Sequence, residues 1–179
     1  TINVEQVDDP PDVNQPIENI VVDEDAKNTI IDLSNTFTDP DNNNDNIIKS
    51  VQDNSNPNLL EASVDKNTLT LDYLENQFGS TKIVIRGTSN QKQVDEEFSV
   101  VVNPINDPPT GKNDTVTIAE DEHYFFNRND VTYNDIEGDQ FSGIKIITTE
   151  TAGDLEYDEI DVAENEECED IAKLSFLPA

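Results

Sequence analysis

The stretch "EEFSVVVNPINDPP", residues 96–109, predicts both a strand and the end of a module. Phe98, Val100 and Val102 occupy every second position, and this period of two is typical of a β-strand with one buried face. Pro108-Pro109 follows directly, and proline has a fixed φ and no N–H group with which to continue a ladder. We therefore expect a closing strand, then a stiff connector, with a boundary near residue 107.

The first half of the chain contains six further short blocks rich in Val, Ile, Leu and Thr, separated by Asn, Asp, Gly and Ser. They are ENIVV (18–22), NTIIDL (28–33), NIIKSV (46–51), LLEASV (59–64), TLTLDY (68–73) and KIVIRG (82–87). Between the fourth and fifth blocks, "DKN" (65–67) predicts a tight hairpin turn. Seven short strands at this spacing predict an antiparallel β-sandwich of about a hundred residues.

The second half restarts this pattern and then stops. Its predicted strands are DTVTI (114–118), HYFFN (123–127), SGIKIITT (142–149), DLEYD (154–158), EIDVA (159–163) and KLSF (173–176). The acid-rich part of this half, residues 154–170, predicts a solvated and weakly ordered hairpin, with a peripheral cation site as the alternative. We expect a second sandwich that lacks its last one or two strands and leaves a sheet edge unpaired. The predicted modules are residues 1–107 and 108–179, within a longer polypeptide because the chain contains no Met.

The two halves share three short motifs in the same order. "DPP" at 9–11 matches "DPP" at 107–109, "VVDEDA" (21–26) matches "TIAEDE" (117–122), and "FTDPD" (37–41) matches "YNDIEGD" (133–139). A constant offset of roughly a hundred residues is the signature of tandem modules.

Composition restricts the partners of this chain. It has 40 Asp and Glu residues against 10 Lys and Arg residues, a formal charge of −30. Such a surface repels nucleic acid and anionic lipid, and no apolar run is long enough to insert into a membrane. Its natural counter-ions are cations, and Ca²⁺ prefers clustered carboxylate and carbonyl oxygens. The alternatives are that the charge serves only solubility, or that the chain stays disordered until cations reduce its self-repulsion.

The acids recur at three places in each module. These are the linker, the turn after the first strand and the turn after the second. If the loops at one end of each sandwich lie close together, six to eight oxygens from several loops can surround one ion. Asp and Asn are also ordinary turn residues, and for any single one of them the turn role is the better interpretation. Recurrence at matched positions favours metal binding for the set, whose members are Asp9, Glu24, Asp25, Asp39, Asp41, Asn106, Asp107, Glu120, Asp121, Asp135, Glu137 and Asp139.

The stretches "FSVVVNPINDPPTGKNDTVTIAEDE" and "AGDLEYDEIDVAENEECEDIAKLSFLPA" (152–179) resemble cadherin-like repeats of very large bacterial surface adhesins. The first module, through "IDLSNTFTDPD" and "FSVVVNPINDPP", resembles the dystroglycan type. This resemblance implies an all-β protein of tandem Ig-like, cadherin-like sandwiches that binds Ca²⁺ between and at the ends of modules. The cadherin linker pattern is D-x-N-D-N, and here Pro104 replaces its first Asp and Pro108 its last Asn, so we expect one or two ions per junction instead of three.

The function implied is a Ca²⁺-rigidified extender in cell adhesion or biofilm formation, extracellular and at the cell surface. Its partners would be adjacent repeats of the same polypeptide, with a cell-surface polysaccharide or protein as a further possibility. Two alternatives remain open: a carbohydrate- or protein-binding module, for which exposed coplanar rings would be the sign, and a metal-free structural spacer. An enzyme is not predicted, because His123 is the only histidine and Cys168 the only cysteine.

Overall fold

The computed structural model describes residues 1–5, 7–150 and 152–179. The chain divides into two compact units, Thr1–Ile105 (unit 1) and Asn106–Ala179 (unit 2). Each unit has its own sheets and its own hydrophobic core. Strands dominate both units, which confirms the predicted all-β class. Among the described residues, no helix is long and apolar enough to cross a membrane.

Unit 1 contains nine strands in the part of the chain that the structure describes. They are β1 (Asp12–Val13), β2 (Ile20–Asp23), β3 (Thr29–Asp32), β4 (Phe37–Thr38), β5 (Ile48–Asn54), β6 (Leu60–Asp65), β7 (Thr68–Tyr73), β8 (Gly79–Ser89) and β9 (Lys92–Asn103). A four-stranded sheet has the order β2-β9-β8-β5, a three-stranded sheet has the order β3-β7-β6, and β1 pairs with β4. All pairs are antiparallel except β2 with β9, which run parallel.

The longest hairpin of unit 1 joins β8 to β9. Its register runs from the pair Gly79–Val102 to the pair Ser89–Lys92. Asn90 and Gln91 form the two-residue turn with φ of 42° and 70°, and positive φ at both central positions matches the right-handed twist of the strands. The predicted turn at "DKN" is also confirmed, since Asp65 pairs with Thr68 across two residues, of which Lys66 has a positive φ of 55°.

The core of unit 1 follows from the alternation in its strands. Thirteen buried side chains form one cluster, and they are Leu33, Phe37, Ile47, Leu59, Leu60, Leu69, Leu71, Tyr73, Ile83, Ile85, Phe98, Val100 and Val102. Burying a side chain of this size contributes about 1.5–3 kcal/mol, so this cluster is the main source of stability. Gly87 is required where the Phe37 ring packs on β8, because a Cβ there would lie 2.8 Å from the ring.

Unit 2 contains six shorter strands among its described residues. They are β10 (Tyr124–Phe125), β11 (Ile144–Lys145), β12 (Asp154–Tyr157), β13 (Ile160–Asp161), β14 (Glu167–Cys168) and β15 (Leu174–Leu177). One sheet has the order β10-β15-β12-β13, and β11 pairs with β14; all these pairs are antiparallel. Three buried residues, Val162, Cys168 and Leu174, form its core, with partly buried side chains around them.

One expectation about unit 2 was wrong. Among the described residues the predicted strand 114–118 has no ladder partner, so its alternating residues do not form a strand. The hairpin predicted within residues 154–170 is confirmed by β12 and β13, but the segment is more ordered than predicted, because β14 brings Cys168 into the core. Charge density alone was misleading because the few apolar residues in this segment are the ones that become buried.

Candidate metal centre

The first group of predicted ligands lies at the N-terminal end of unit 1. The backbone amide of Asp9 donates to Asp41 Oδ2 at 2.7 Å. The side-chain amide of Asn42 donates to Asp8 Oδ1 at 2.8 Å and to Asp39 Oδ1 at 3.2 Å. The five residues Asp8, Asp9, Asp39, Asp41 and Asn42 are called the Asp39 cluster below. The structure thus places two of the three predicted acid groups of this module together.

Asp39 is the central residue of this cluster, and only 6% of its surface is exposed. Its Oδ1 accepts from the backbone amides of Asp41 and Asn42, both at 2.8 Å. Its Oδ2 is buried and has no hydrogen-bond partner. The Ser89 hydroxyl is the largest influence that lowers the pKa of Asp39, and the backbone amides add to it against the effect of burial. The carboxylate therefore stays ionised in the folded form.

The local sequence explains why this carboxylate points back into its own turn. After β4 the chain reads Asp39-Pro40-Asp41-Asn42, and an Asp that accepts from amides two and three residues later is an ordinary Asx-type turn. The Asn44 side chain then accepts from the backbone amide of Asp39 at 2.7 Å. Turn formation thus satisfies Oδ1 and leaves Oδ2 for another partner.

The tip of the β8–β9 hairpin also contacts this cluster. Lys92 Nζ donates to the backbone carbonyl of Asp8 and lies 3.5 Å from Asp8 Oδ2. Hydrogen bonds from the Asn42 and Asn90 side chains lower the pKa of Asp8, and Lys92 lowers it further. One ammonium group therefore offsets part of the negative charge that four carboxylates bring together.

Glu24 and Asp25 lie elsewhere in unit 1. The Glu24 amide donates to the Asn103 carbonyl at 2.9 Å, at the C-terminal end of β9, whereas Lys92 at its N-terminal end contacts the Asp39 cluster. Twelve extended residues span roughly 35 Å, so the two acid groups are at opposite ends of the sandwich. The expectation that all three acid groups of this module surround one point was wrong.

Glu24 has its own unusual environment at that end. It is 3% exposed, and its Oε1 accepts from the backbone amide of Ile105. Its Oε2 is buried without a hydrogen-bond partner. Asp25 has a left-handed φ of 58°, and its Oδ1 accepts from the Asn76 amide at 3.3 Å, which is a turn role.

The second group of predicted ligands lies at the N-terminal end of unit 2. The Asp107 amide donates to Glu137 Oε2 at 3.2 Å, and the Asp139 amide donates to Asp135 Oδ1 at 2.8 Å. A bridge between Thr110 and Asn134 holds the two segments side by side. The four acids Asp107, Asp135, Glu137 and Asp139 are called the Glu137 cluster. Its Asp107 Oδ2 and Glu137 Oε1 are buried and lack partners.

The other predicted residues of unit 2 are not part of this cluster. The Asn106 side chain donates to the carbonyl of its neighbour Asp107 at 3.1 Å. Glu120 and Asp121 are exposed, and Asp121 has a left-handed φ of 63° that matches the φ of Asp25 in unit 1. For these residues the structure shows turn geometry and no convergence with other carboxylates of unit 2.

Several residues that contact the Asp39 cluster are absent from the set of predicted ligands. Asn42 follows Asp39-x-Asp41 directly, and extending that motif by one amide-bearing residue would have found it. Ser89, Asn90 and Lys92 are about fifty residues away in the chain, and only the pairing of β8 with β9 brings them to this end. No local signal in the sequence indicates that proximity.

Comparison with known proteins gives no family assignment. No protein-family model matches the chain, and no curated protein matches it. Among solved structures, the endo-fucoidan hydrolase MfFcnA4 from glycoside hydrolase family 107 is similar at 14% identity and a TM-score of 0.43, over 94% of this chain. The chain spans 24% of the length of that hydrolase and 29% of its relative MfFcnA9. The titin domains z1z2 in complex with telethonin, which are Ig-like, are similar at 12% identity and a TM-score of 0.39, over 97% of this chain and 84% of theirs.

Proposed function

We propose that the chain is a calcium-binding repeat region of a bacterial surface adhesin, which acts as an extracellular extender in cell adhesion or biofilm formation. Four observations support this proposal: the net charge of −30, the repeated acid motifs, the all-β fold and the two acid clusters. Adjacent repeats of the same polypeptide would be its direct partners, and a cell-surface polysaccharide or protein a further one.

One observation carries the proposal. Among the described residues, the buried side-chain polar atoms without a hydrogen-bond partner are all carboxylate oxygens, and they belong to Glu24, Asp39, Asp107 and Glu137. All four residues are in the set that the sequence predicted as ligands. A buried polar group without a partner destabilises a fold by about 1–3 kcal/mol, and by more if it is charged. A bound cation would remove that cost.

The chemistry of the donors favours Ca²⁺ over softer metals. Both clusters offer carboxylate oxygens, and the Asp39 cluster adds the side-chain amide of Asn42. Oxygen atoms are the ligands that Ca²⁺ takes in numbers of six to eight. Zn²⁺ and copper prefer imidazole and thiolate, whereas His123 is outside both clusters and Cys168 is buried in the core of unit 2. When bound, the ion would supply positive charge and fixed geometry, so its role would be structural.

The test is calorimetric titration and thermal melting of the whole chain in Ca²⁺, in Mg²⁺ and in chelator. At about a hundredfold excess of ion over its dissociation constant, one site stabilises the bound form by about 2.7 kcal/mol, which raises Tm by roughly 10 °C or more for a domain of this size. Asp39→Asn should reduce the number of sites and the rise in Tm. Asp32→Asn is the matched control, because Ser34 already donates to Asp32 Oδ1 from its amide and its hydroxyl.

A titration without heat and melting curves unchanged by Ca²⁺ would select the metal-free spacer instead. The extender role needs a separate measurement, which is small-angle scattering in Ca²⁺ and in chelator. A maximum dimension that falls and a flexibility that rises on chelation would support it. Identical scattering in both conditions would contradict a role for the ion in stiffness.

The carbohydrate-binding alternative has one observation in its favour. The rings of His123 and Phe125 lie 6.0 Å apart with an interplanar angle of 18°, and Phe125 is 65% exposed. Nearly parallel exposed rings are a surface on which a sugar can stack. Binding of acidic and neutral polysaccharides to the chain, lost in Phe125→Ala, would favour this function; no binding by the unmodified chain would exclude these polysaccharides as ligands.

A further inference from the structure

The strand β2 shows which contacts hold a strand at this place in the module. It pairs in parallel with β9, with Ile20 opposite Val100 and Val22 opposite Val102. Ile20 and Val22 are half-buried and pack against the core cluster of unit 1. β2 is thus held on one side by the ladder of β9 and on its inner face by apolar contacts.

The corresponding segment of unit 2 has the same side-chain pattern but no ladder. At the repeat offset of 96 residues, Val116 corresponds to Ile20 and Ile118 to Val22. No backbone–backbone hydrogen bond is made by either residue in the described structure. Val116 is 43% exposed, although its counterpart Ile20 is half-buried.

Val116 and Ile118 line an open groove of about 410 Å³. The groove is also lined by Tyr124 of β10, by Phe126 directly after that strand and by Phe176 of β15. The remaining lining residues are Val131 and the charged residues Lys112, Asp114 and Asp130. The groove is therefore bordered by a segment in which Val116 and Ile118 make no backbone–backbone hydrogen bond, and by aromatic side chains of the neighbouring sheet. We call it the 114–118 groove.

The hydrophobic cores of unit 1 and unit 2 differ in the strands that supply their buried residues. The strands β8 and β9 supply five of the thirteen buried core residues of unit 1, namely Ile83, Ile85, Phe98, Val100 and Val102. In unit 2, the described residues contain no strand that pairs with 114–118, and its buried core has three residues. A sandwich whose first strand has no neighbour leaves apolar surface and backbone donors and acceptors open to another strand.

We propose that the 114–118 groove is a strand-acceptor site, which binds an extended polypeptide segment with apolar residues at alternate positions, parallel to residues 114–118. β9 is the example that this chain itself provides, because Phe98, Val100 and Val102 face inward and Ser99 and Val101 do not. Strand addition of this kind satisfies the open backbone groups and fills the groove with one face of the added strand. The proposal does not depend on calcium.

The chemistry of the groove favours a strand over a small ligand. A compact molecule could fill the apolar space, but it would leave the backbone amides and carbonyls of Val116 and Ile118 without backbone partners. The partner should also carry few acids on its inner face, because the chain already has an excess of negative charge. An alternating Val- and Phe-rich strand meets both requirements.

The experiment uses the whole chain and a capped peptide that copies residues 92–103, with a scrambled peptide of the same composition as control. Binding is followed by the amide NMR signals of the ¹⁵N-labelled chain. We expect saturable shifts at residues 112–118 and around Tyr124 with the copied peptide and none with the scrambled one. Val116→Asp should weaken binding by about tenfold or more, because a charge would enter the apolar groove. Thr117→Asp is the matched control on the outward face and should bind as the unmodified chain does.

Several results would overturn the proposal. One is the absence of shifts at 112–118, and another is shifts confined to 20–23, which would mean exchange with β9 in unit 1. Equal binding by Val116→Asp and Thr117→Asp would show that the groove is not the site. Concentration-dependent dimers without peptide, with the same signals affected, would show that a second copy covers this surface.

Discussion

The backbone amide of Asp9 donates to Asp41 Oδ2 at 2.7 Å, and the same bond recurs in unit 2, where the amide of Asp107 donates to Glu137 Oε2 at 3.2 Å. In both places the donor is the residue before a Pro-Pro pair, so it is the last amide before two residues that have none. Asp41 and Glu137 thus fix the chain directly ahead of its stiff corner in each unit. This explains why acid stands beside proline twice in the sequence.

We predict that Asp41→Asn and Asp41→Ala distinguish the stabilisation by the hydrogen bond of Asp41 from the effect of its charge. Asn keeps an oxygen that can accept from the Asp9 amide, so the free energy of unfolding of the Asp41→Asn protein in chelator should change little. Ala removes the acceptor and should destabilise unit 1 by about 1 kcal/mol, since the site is half-exposed. Both variants should lose the part of the Ca²⁺-dependent rise in Tm that the Asp39 cluster contributes. Urea unfolding with and without Ca²⁺ measures this; a full Ca²⁺ response in Asp41→Asn would exclude this carboxylate as a ligand.

The pKa of Asp39 predicts how unit 1 responds to acid without calcium. Ser89 and the backbone amides hold this pKa below its usual range, so the folded form favours the ionised carboxylate. The stability that results is present above the unfolded pKa of about 3.9 and is lost as pH falls through the lower folded pKa. Asp39→Asn should therefore be less stable than the unmodified chain at neutral pH, and the difference should close below about pH 4. Melting curves of both proteins in calcium-free buffers test this, and a difference independent of pH would contradict it.

Gly87→Ala should destabilise unit 1 by about 1–3 kcal/mol, because the new methyl group would lie 2.8 Å from the Phe37 ring in a packed core. Phe37→Leu alone should also destabilise unit 1, since the smaller side chain leaves a cavity in the core. The double variant should be more stable than the sum of the two effects predicts, because leucine gives room to the methyl group. Denaturant unfolding of all four proteins measures the coupling, and strict additivity would show that the two sites do not interact.

Cys168 should act as a reporter of opening in unit 2. Its side chain is fully buried, and burial raises the pKa of the thiol. Both effects slow its reaction with a thiol reagent, because the thiolate is the reactive form. We expect slow labelling in buffer and a sharp increase at urea concentrations at which unit 1 is still folded, since unit 2 has the smaller buried core. Labelling that accelerates only together with unfolding of unit 1 would contradict this order.

Local pattern was a reliable guide to the strands of unit 1. Each of the seven predicted blocks, from ENIVV to EEFSVVV, overlaps an observed strand, because strands buried on one face must alternate. In unit 2 the pattern alone was insufficient at DTVTI, since a strand exists only when a neighbouring strand completes its ladder. The sequence of one segment does not show whether another segment pairs with it.

The sequence by itself determined the all-β class, the strand alternation and the repeated acids beside the proline pairs, because these depend on neighbours within a few residues. Only the tertiary structure decided which acids meet. It placed Asp39 with Asp8, Asp9 and Asp41, put Glu24 at the other end of β9, and brought Lys92 to the cluster from fifty residues away. The physical reason is that strand pairing sets the distance between loops, and pairing is a property of the whole unit.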